Sequence, residues 1–360
     1  MTSNLRSAAP SHTDPGRGSN SYRVAIVGAA SIKGKEVAEV LNDRNFPSEQ
    51  VKLLDDDEAL GQLENVGDEV TFIQKVRGEE FRHLDFAFFA GDAESTRKNW
   101  KVARDAGSTI IDLSFALEDE VGATVRAPWI ERQLGQALVP ELQPGPVVIA
   151  HPAAVVLALL LLRLQKAVPL KRAVATVFEP ASEHGQKGMD ELHEQTVNLL
   201  SFQQLPKKIF DTQVAFNMVS RYGEQSLPPL ATVENRILKH YRQIGGRDAL
   251  PPSLLLLQAP IFHGHVFAVH ADSEQEADID KISRGLAGEH INITTHAADD
   301  APTNVNAAGQ SDIQVSLRPD VGHPNSFWVW AASDNLRIAA STAVECAETM
   351  TATRPRGKIQ

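Results

Sequence analysis

The segment YRVAIVGAASIKGKEVAEVLNDRNF, residues 22–46, constrains the fold more than any other stretch of this chain. Val24, Ala25, Ile26 and Val27 form an unbroken apolar run. That fits a strand buried on both faces of a parallel sheet better than an alternating strand with one wet face. Glycines follow at once, and then an amphipathic helical pattern. A strand feeding a helix through a glycine turn needs a parallel partner strand after it. The sequence supplies several: VKLLDDD (51–57), EVTFIQKV (69–76), LDFAFFAG (84–91) and STIIDLS (108–114), with a helical stretch at 93–107. The alternation predicts a doubly wound, Rossmann-type α/β domain over 22–152.

A second segment, VVIAHPAAVVLALLLLRLQ (147–165), marks a change of architecture. An apolar strand-like run breaks at His151-Pro152 and enters a helix. Such a break is a favoured seat for a catalytic nucleophile, yet the first turn offers only Ala153, Ala154, Val155 and Val156. The apolar stretch ends at Arg163, about half the length of a membrane span, so a buried helix is expected. Beyond it, 171–178 alternates as a strand and 188–202 reads as a long amphipathic helix. SLLLLQAPIFHGHVFAVHAD (253–272) contains two strand-like runs around a bend at His263-Gly264. Residues 312–320 and 325–334 read as a hairpin with Gly322 and Pro324 in its loop. This predicts an α+β domain with a mainly antiparallel sheet over 153–334. A closing helix at 335–350 is expected to return to and complete the first domain. Residues 1–21 read as a disordered tail and 351–360 as a loose one.

Composition narrows the function classes. A formal net charge of −11 disfavours nucleic acid and acidic membranes as partners. The single cysteine, Cys346, can build neither an intramolecular disulfide nor a cysteine zinc site. The polar start of the chain is unlike a signal peptide, so the cytoplasm is the expected compartment.

Three stretches could carry chemistry. In GAASIKG (28–34), Gly28, Ala29, Ser31, Ile32 and Gly34 could bring backbone amides to a pyrophosphate at a helix start. Ser31 stands where a middle glycine is expected, and its Cβ narrows the approach. Asp55 and Asp56 at the next strand end could accept hydrogen bonds from a ribose 2′-hydroxyl and would repel a 2′-phosphate, favouring NAD over NADP. The alternative is an inherited turn that binds nothing. The loop FEPASEHGQKGMDEL (178–192) carries Glu179, Ser182, Glu183, His184 and Lys187, and could line a site. Alternatively, Ser182 or Glu183 caps the helix, with Asp190 and Glu191 in its first turn. His263 and His265 would share a strand face and His270 the other, but spacing offers no third ligand, so no metal is expected.

The order of these motifs resembles that of the aspartate-semialdehyde dehydrogenases over residues 22–349. Their GATGxVG, DNSSAFR, NPNCST, QAVSGAGxxG, RVPVxxGHS and DNLRKGAA motifs have counterparts here. These are GAASIKG, DLSFALE, HPAAVV, EPASEHGQKG, QAPIFHGHV and SDNLRIAA. The resemblance implies the two-domain fold and a homodimer formed through the second domain. Position by position, it places the nucleophilic cysteine on Ala154 and the preceding asparagine on Ala153. The site glutamine falls on Glu179, the phosphate-gripping arginine on Glu118 and the carboxylate-gripping arginine on Gln258. The base histidine alone keeps its identity, as His265.

The family reaction needs a thiolate to form a thiohemiacetal and then a thioester that phosphate cleaves, and alanine makes neither bond. The chain resembles the Usg-type branch, whose members lack the cysteine, and PASEHG in place of AVSGAG looks characteristic of it. The first expectation is therefore a member that has lost the phosphorylating activity and serves as a nucleotide-binding or interaction and scaffold homologue, open to a protein partner or a small-molecule ligand. The alternative is an NAD(P)-dependent oxidoreductase acting on aspartate semialdehyde or a related aldehyde in amino-acid biosynthesis. Its residual acid–base groups would be His265 and Glu179, with His184.

Overall fold

The computed structural model describes residues 21–56, 59–67, 69–136, 145–226, 228–294 and 301–353. The expected tails lie outside these residues, apart from Ser21 and 351–353; Asp57 of the acidic strand end is outside them too.

The first half comprises β1 (Tyr22–Val27), α1 (Ile32–Asp43), β2 (Ser48–Asp55), β3 (Leu63–Val66), β4 (Glu69–Phe72), β5 (Gln74–Lys75), β6 (Phe86–Phe89), α2 (Ala93–Asp105), β7 (Thr109–Asp112), β8 (Thr124–Arg126), α3 (Pro128–Gln133) and β9 (Val147–Ile149). Seven of its strands make one parallel sheet in the order β5-β2-β1-β6-β7-β9-β8. β1 and β6 are buried along their apolar runs, as continuous hydrophobic strands of a parallel sheet must be. β2 and β5 lie on one side of β1, and β6, β7, β9 and β8 on the other. The resulting switch point lies between β1 and β6, at whose carboxyl ends a doubly wound sheet generally binds its ligands.

The single strand expected at 69–76 is two. Ile73 turns into the core, 2% exposed, and its N–H bonds Gln62 O, so β4 pairs back on β3 while β5 joins the sheet edge.

The second half comprises α4 (Pro152–Ala167), β10 (Leu170–Glu179), α5 (Gly185–Leu200), α6 (Leu230–Gly245), β11 (Ser253–Gln258), β12 (His265–Ser273), α7 (Ile279–Leu286), β13 (Ile291–Thr294), α8 (Asn304–Ala307), β14 (Ile313–Pro319), β15 (Ser326–Ser333) and α9 (Asn335–Thr353). Its six strands run β11-β10-β12-β15-β14-β13. The inner pairings are antiparallel, and the two edge strands β11 and β13 pair in parallel. Gly264, at φ +82°, makes the expected bend, but β11 and β12 do not pair. β10 lies between them. β14 and β15 form the expected hairpin.

Helix α4 is apolar all round, and every residue from 152 to 164 is buried, as a helix held between two layers requires. Arg163 is tolerated there because its guanidinium donates to Leu286 O, Glu289 O and the Gln133 side chain. Helix α9 returns to the first sheet, laying Ala339, Ala343, Val344, Cys346 and Ala347 into its core. Arg337 ties it to Glu36 and Asp43 of α1. No helix among the described residues is long and apolar enough to cross a membrane.

Candidate functional site

The first turn of α4 is the centre of the site. Pro152 opens the helix where its missing N–H is no loss, and His151 caps it, its Nδ1 lying 3.3 Å from the Ala153 N–H. Ala153 and Ala154 are fully buried. The His151 N–H donates to His240 Nδ1 at 3.0 Å, which leaves the His240 proton on Nε2, directed at Glu118 Oε2 at 3.0 Å.

Glu118 is the hub of an ion network. Arg236 gives it two bonds of 3.0 Å, from Nε and Nη2, and Lys239 lies 3.7 Å away. Burial pushes this carboxyl up, but hydrogen bonds from His240 and Arg236 hold it down at about 2. The position that the resemblance gives to a phosphate-gripping arginine thus holds a carboxylate that consumes a neighbouring arginine.

Gln258 is equally committed. Its Nε2 donates to Glu179 O at 2.9 Å and Ala259 O at 2.8 Å, and its Oε1 accepts from Tyr222 Oη at 2.7 Å. Tyr222 Oη also lies 2.9 Å from His184 Nε2. Burial lowers His184 to about 4. A buried amide with every polar atom bonded has nothing left for a ligand's carboxylate.

The remaining groups meet at the ends of β10 and β12. His265 Nε2 lies 3.5 Å from Glu179 Oε2 and 4.0 Å from Glu183 Oε1, and His151 Nε2 lies 3.9 Å from Glu183 Oε2. Burial raises Glu179 and pushes His151 well below the ordinary imidazole range. Burial also pushes Glu183 up, but the nearby charges of Lys33, His151 and His265 and a 2.8 Å bond from Asn335 Nδ2 hold it at about 2. Glu179, His265, Glu183 and His151 are therefore brought together.

Several expectations about the surrounding loop are corrected. Ser182 and Glu183 lie in a 3₁₀ turn, neither caps α5, and Ser182 Oγ bonds Asn335 Oδ1 instead. The helix begins at Gly185, so Asp190 and Glu191 are in its second turn. Glu191 accepts the N–H groups of Lys208, Ile209 and Phe210, closing a following loop, and Lys187 is exposed. His263 is off the strand, because the Gly264 turn separates it from His265. It faces Asp334 at 3.4 Å, while His270 faces Asp320 at 3.1 Å. Among the described residues no group of three or more His, Cys, Asp or Glu is arranged to hold a metal. Cys346 lies fully buried in α9, where burial pushes its thiol up to about 12.

At the glycine turn, Gly28 takes φ +82° and packs against Gly91. Ser31 caps α1, accepting from Gly34 N at 2.9 Å and donating to Ala90 O at 3.0 Å. Its side chain is turned inward to brace the turn. Asp55 accepts the N–H of Ala30 at 2.7 Å and of Asp56 at 2.8 Å, so its first task is to lock the turn. The exposed acid of the pair is Asp56. Ile32 and Lys33 keep N–H groups with no partner among the described residues, at the positive end of a twelve-residue helix.

Sequence reading missed Lys33, Tyr222, Arg236, His240 and Asn335. Lys33 Nζ and Arg236 Cζ lie 5.2 and 5.1 Å from the Phe115 ring centroid, and His151 stacks on the same ring at 5.4 Å. Lys33 replaces the valine of GATGxVG, a usable signal. Arg236 and His240 lie on α6, whose pairing with residue 118 no local pattern announces.

Comparison with known proteins matches both halves of the chain to one family. Residues 23–143 match the semialdehyde dehydrogenase NAD binding domain, and residues 161–338 the semialdehyde dehydrogenase dimerisation domain. An aspartate-semialdehyde dehydrogenase of Rickettsia bellii is 28% identical over 335 residues, covering 91% of this chain and 97% of the relative. A USG-1 protein homolog of Pseudomonas aeruginosa is 30% identical over 325 residues, covering 90% and 95%. The solved structure of a probable aspartate-semialdehyde dehydrogenase from Pseudomonas aeruginosa superposes with a TM-score of 0.80 at 29% identity, covering 92% of this chain and 98% of that one. With an NAD(P)-binding domain and a dimerisation domain of this kind, the chain belongs to the semialdehyde dehydrogenase family, with USG-1 homologues among its relatives.

Proposed function

We propose that this family member does not carry out phosphorylating oxidation of a semialdehyde, and acts in the cytoplasm as a homodimeric binding protein whose ligand enters the cleft between the two sheets. The observation that carries the reading is the first turn of α4. Ala154 presents a methyl group where the chemistry needs a thiolate, and the chain's one thiol is buried in α9 with its proton held firmly. The commitments of Glu118 and Gln258 support it, since neither anion grip implied by the resemblance remains.

The test is phosphate-dependent reduction of NAD or NADP with L-aspartate 4-semialdehyde. The expected rate is below an active relative's by about 10⁴-fold or more, the order seen when a nucleophile is removed. Ala154→Cys alone is expected to leave it there, because a thioester would still lack a phosphate grip. Turnover by the unaltered chain near an active relative's rate would overturn the reading. Robust rescue by Ala154→Cys would show that Glu118 and Gln258 are not disabling.

Nucleotide binding at the β1–α1 turn is part of the proposal. The free N–H groups of Ile32 and Lys33 suit a phosphate, and Asp56 beside the locked Asp55 disfavours a 2′-phosphate. NAD is expected to bind more tightly than NADP in a calorimetric titration, and equal affinities would remove the ribose-reading role from the acidic strand end.

A second reading rests on one observation, the close approach of Glu179 and His265. Together with a bound nicotinamide they could support simple hydride transfer to a carbonyl by acid–base chemistry.

A further inference from the structure

Buried polar atoms without a hydrogen-bond partner are rare, and each needs a reason. Among the described residues seven such side-chain atoms occur, and four belong to one pair of neighbours: Oε1 and Oε2 of Glu179 and both ring nitrogens of His265. Both side chains are fully buried. Glu179 ends β10 opposite Gln258 of β11, and His265 opens β12 opposite Ser333. Around them stand Glu183, His151, His184 and Tyr222, with Lys33 the nearby cation. Lys33 makes no ion pair within 4 Å among the described residues, its ammonium resting on the Phe115 ring.

The partner that suits the Glu179 carboxylate is rich in donors. A carboxylate accepts and does not donate, and an ammonium brings three donors in a small volume. Neither Gln258 nor Arg236 is free to grip an anion, since Gln258 is bonded at each polar atom and Arg236 is paired with Glu118. Relative to the motifs this chain resembles, the changes at 118, 179, 183 and 258 each remove positive charge or add an acid. Only Lys33 runs the other way.

We propose that the cleft at the first turn of α4 takes a small ligand bearing a primary ammonium group, held by Glu179 and Glu183 beside His265. This deepens the binding-protein reading and rests on it. The ammonium enters between the ends of β10 and β12, meeting the acceptors that now lack partners. Burial raises the Glu179 carboxyl, and an arriving ammonium favours its charged form.

The experiment is calorimetric titration of the full-length chain near neutral pH with two matched probes, 4-amino-1-butanol and 4-hydroxybutanoate. The amine is expected to bind about tenfold tighter or more than the carboxylate. Glu179→Gln, nearly isosteric, should weaken the amine about tenfold. Lys33→Met, on a partly exposed helix start, should strengthen it by removing a competing cation. That variant keeps the test alive if Glu179→Gln does not fold.

Binding of 4-hydroxybutanoate as tightly as the amine overturns the inference. So does absence of binding by either probe, which would leave the pair to ordered water. If the chain still fails to turn over the semialdehyde, the binding-protein reading survives either result. Turnover would overturn that reading itself.

Discussion

Lowering the pH from neutrality is expected to strip stability from this protein in two stages. The first belongs to imidazoles buried as neutral rings. His184 titrates near 6.5 in an unfolded chain, and burial brings it to about 4 in the fold. Its contribution is complete above pH 6.5 and is lost as pH falls from there to 4. At 1.36 kcal/mol per pH unit per proton, the full loss is about 3 kcal/mol. Burial shifts His151 and His240 the same way, and they add to this limb. The second stage belongs to Glu118 and Glu183, both held at about 2 from an ordinary 4.5. Their contribution is complete above pH 4.5 and disappears towards pH 2.

Glu179 opposes both. Its carboxyl is raised by burial, so its contribution is present below 4.5 and is lost as pH rises through the folded value. Urea unfolding at a series of pH values would test the scheme, with His184→Gln reducing the slope of the first limb. Unfolding free energy that stays level between pH 7 and 5 would refute it.

Gly28→Ala is expected to be the most damaging single-methyl change in the nucleotide-binding half. A Cβ there would sit 2.3 Å from the Cα and N of Gly91, at φ +82°. Both obstacles are backbone atoms of the tight turn after β6, so no side chain can give way. Left-handed strain and overpacking together place the cost at about 3 kcal/mol or more. Gly185→Ala provides the contrast. Its φ is +67°, but nothing lies within 4 Å of the added carbon, and the expected cost is only about 1–2 kcal/mol of backbone strain. Thermal unfolding of the two variants, with NAD titration of whichever folds, would separate turn geometry from general glycine effects. Equal melting temperatures would show that the Gly28–Gly91 approach can relax.

The architecture was legible wherever periodicity or turn chemistry acts locally. The apolar run at 24–27, the buried helix after Pro152 and the hairpin at 313–333 all follow from patterns within a few residues. The same local reading missed the split at Ile73, because what separates β4 from β5 is a distant bond to Gln62. It put His263 on a strand with His265 although Gly264 lay between them in plain view. For the site, the residues that differ from the family motifs were visible, but their consequences were not. Glu118 reads as a lost arginine in sequence and as the partner of Arg236 and His240 in space, 118 and 122 residues away along the chain. Charge networks of that reach are written in the fold and in no single segment.

Helix α9 carries a consequence for biogenesis. It supplies core side chains to a sheet whose strands all lie in the first half of the chain, and Arg337 clasps α1 from the far end of the sequence. During translation the parallel sheet leaves the ribosome long before the helix that covers it, with its apolar face open through synthesis of the whole second half. The second half meanwhile can assemble its own antiparallel sheet. Premature termination after β15 but before α9 is complete should therefore release a chain that holds one finished layer and one sticky one, a substrate for chaperones and proteases.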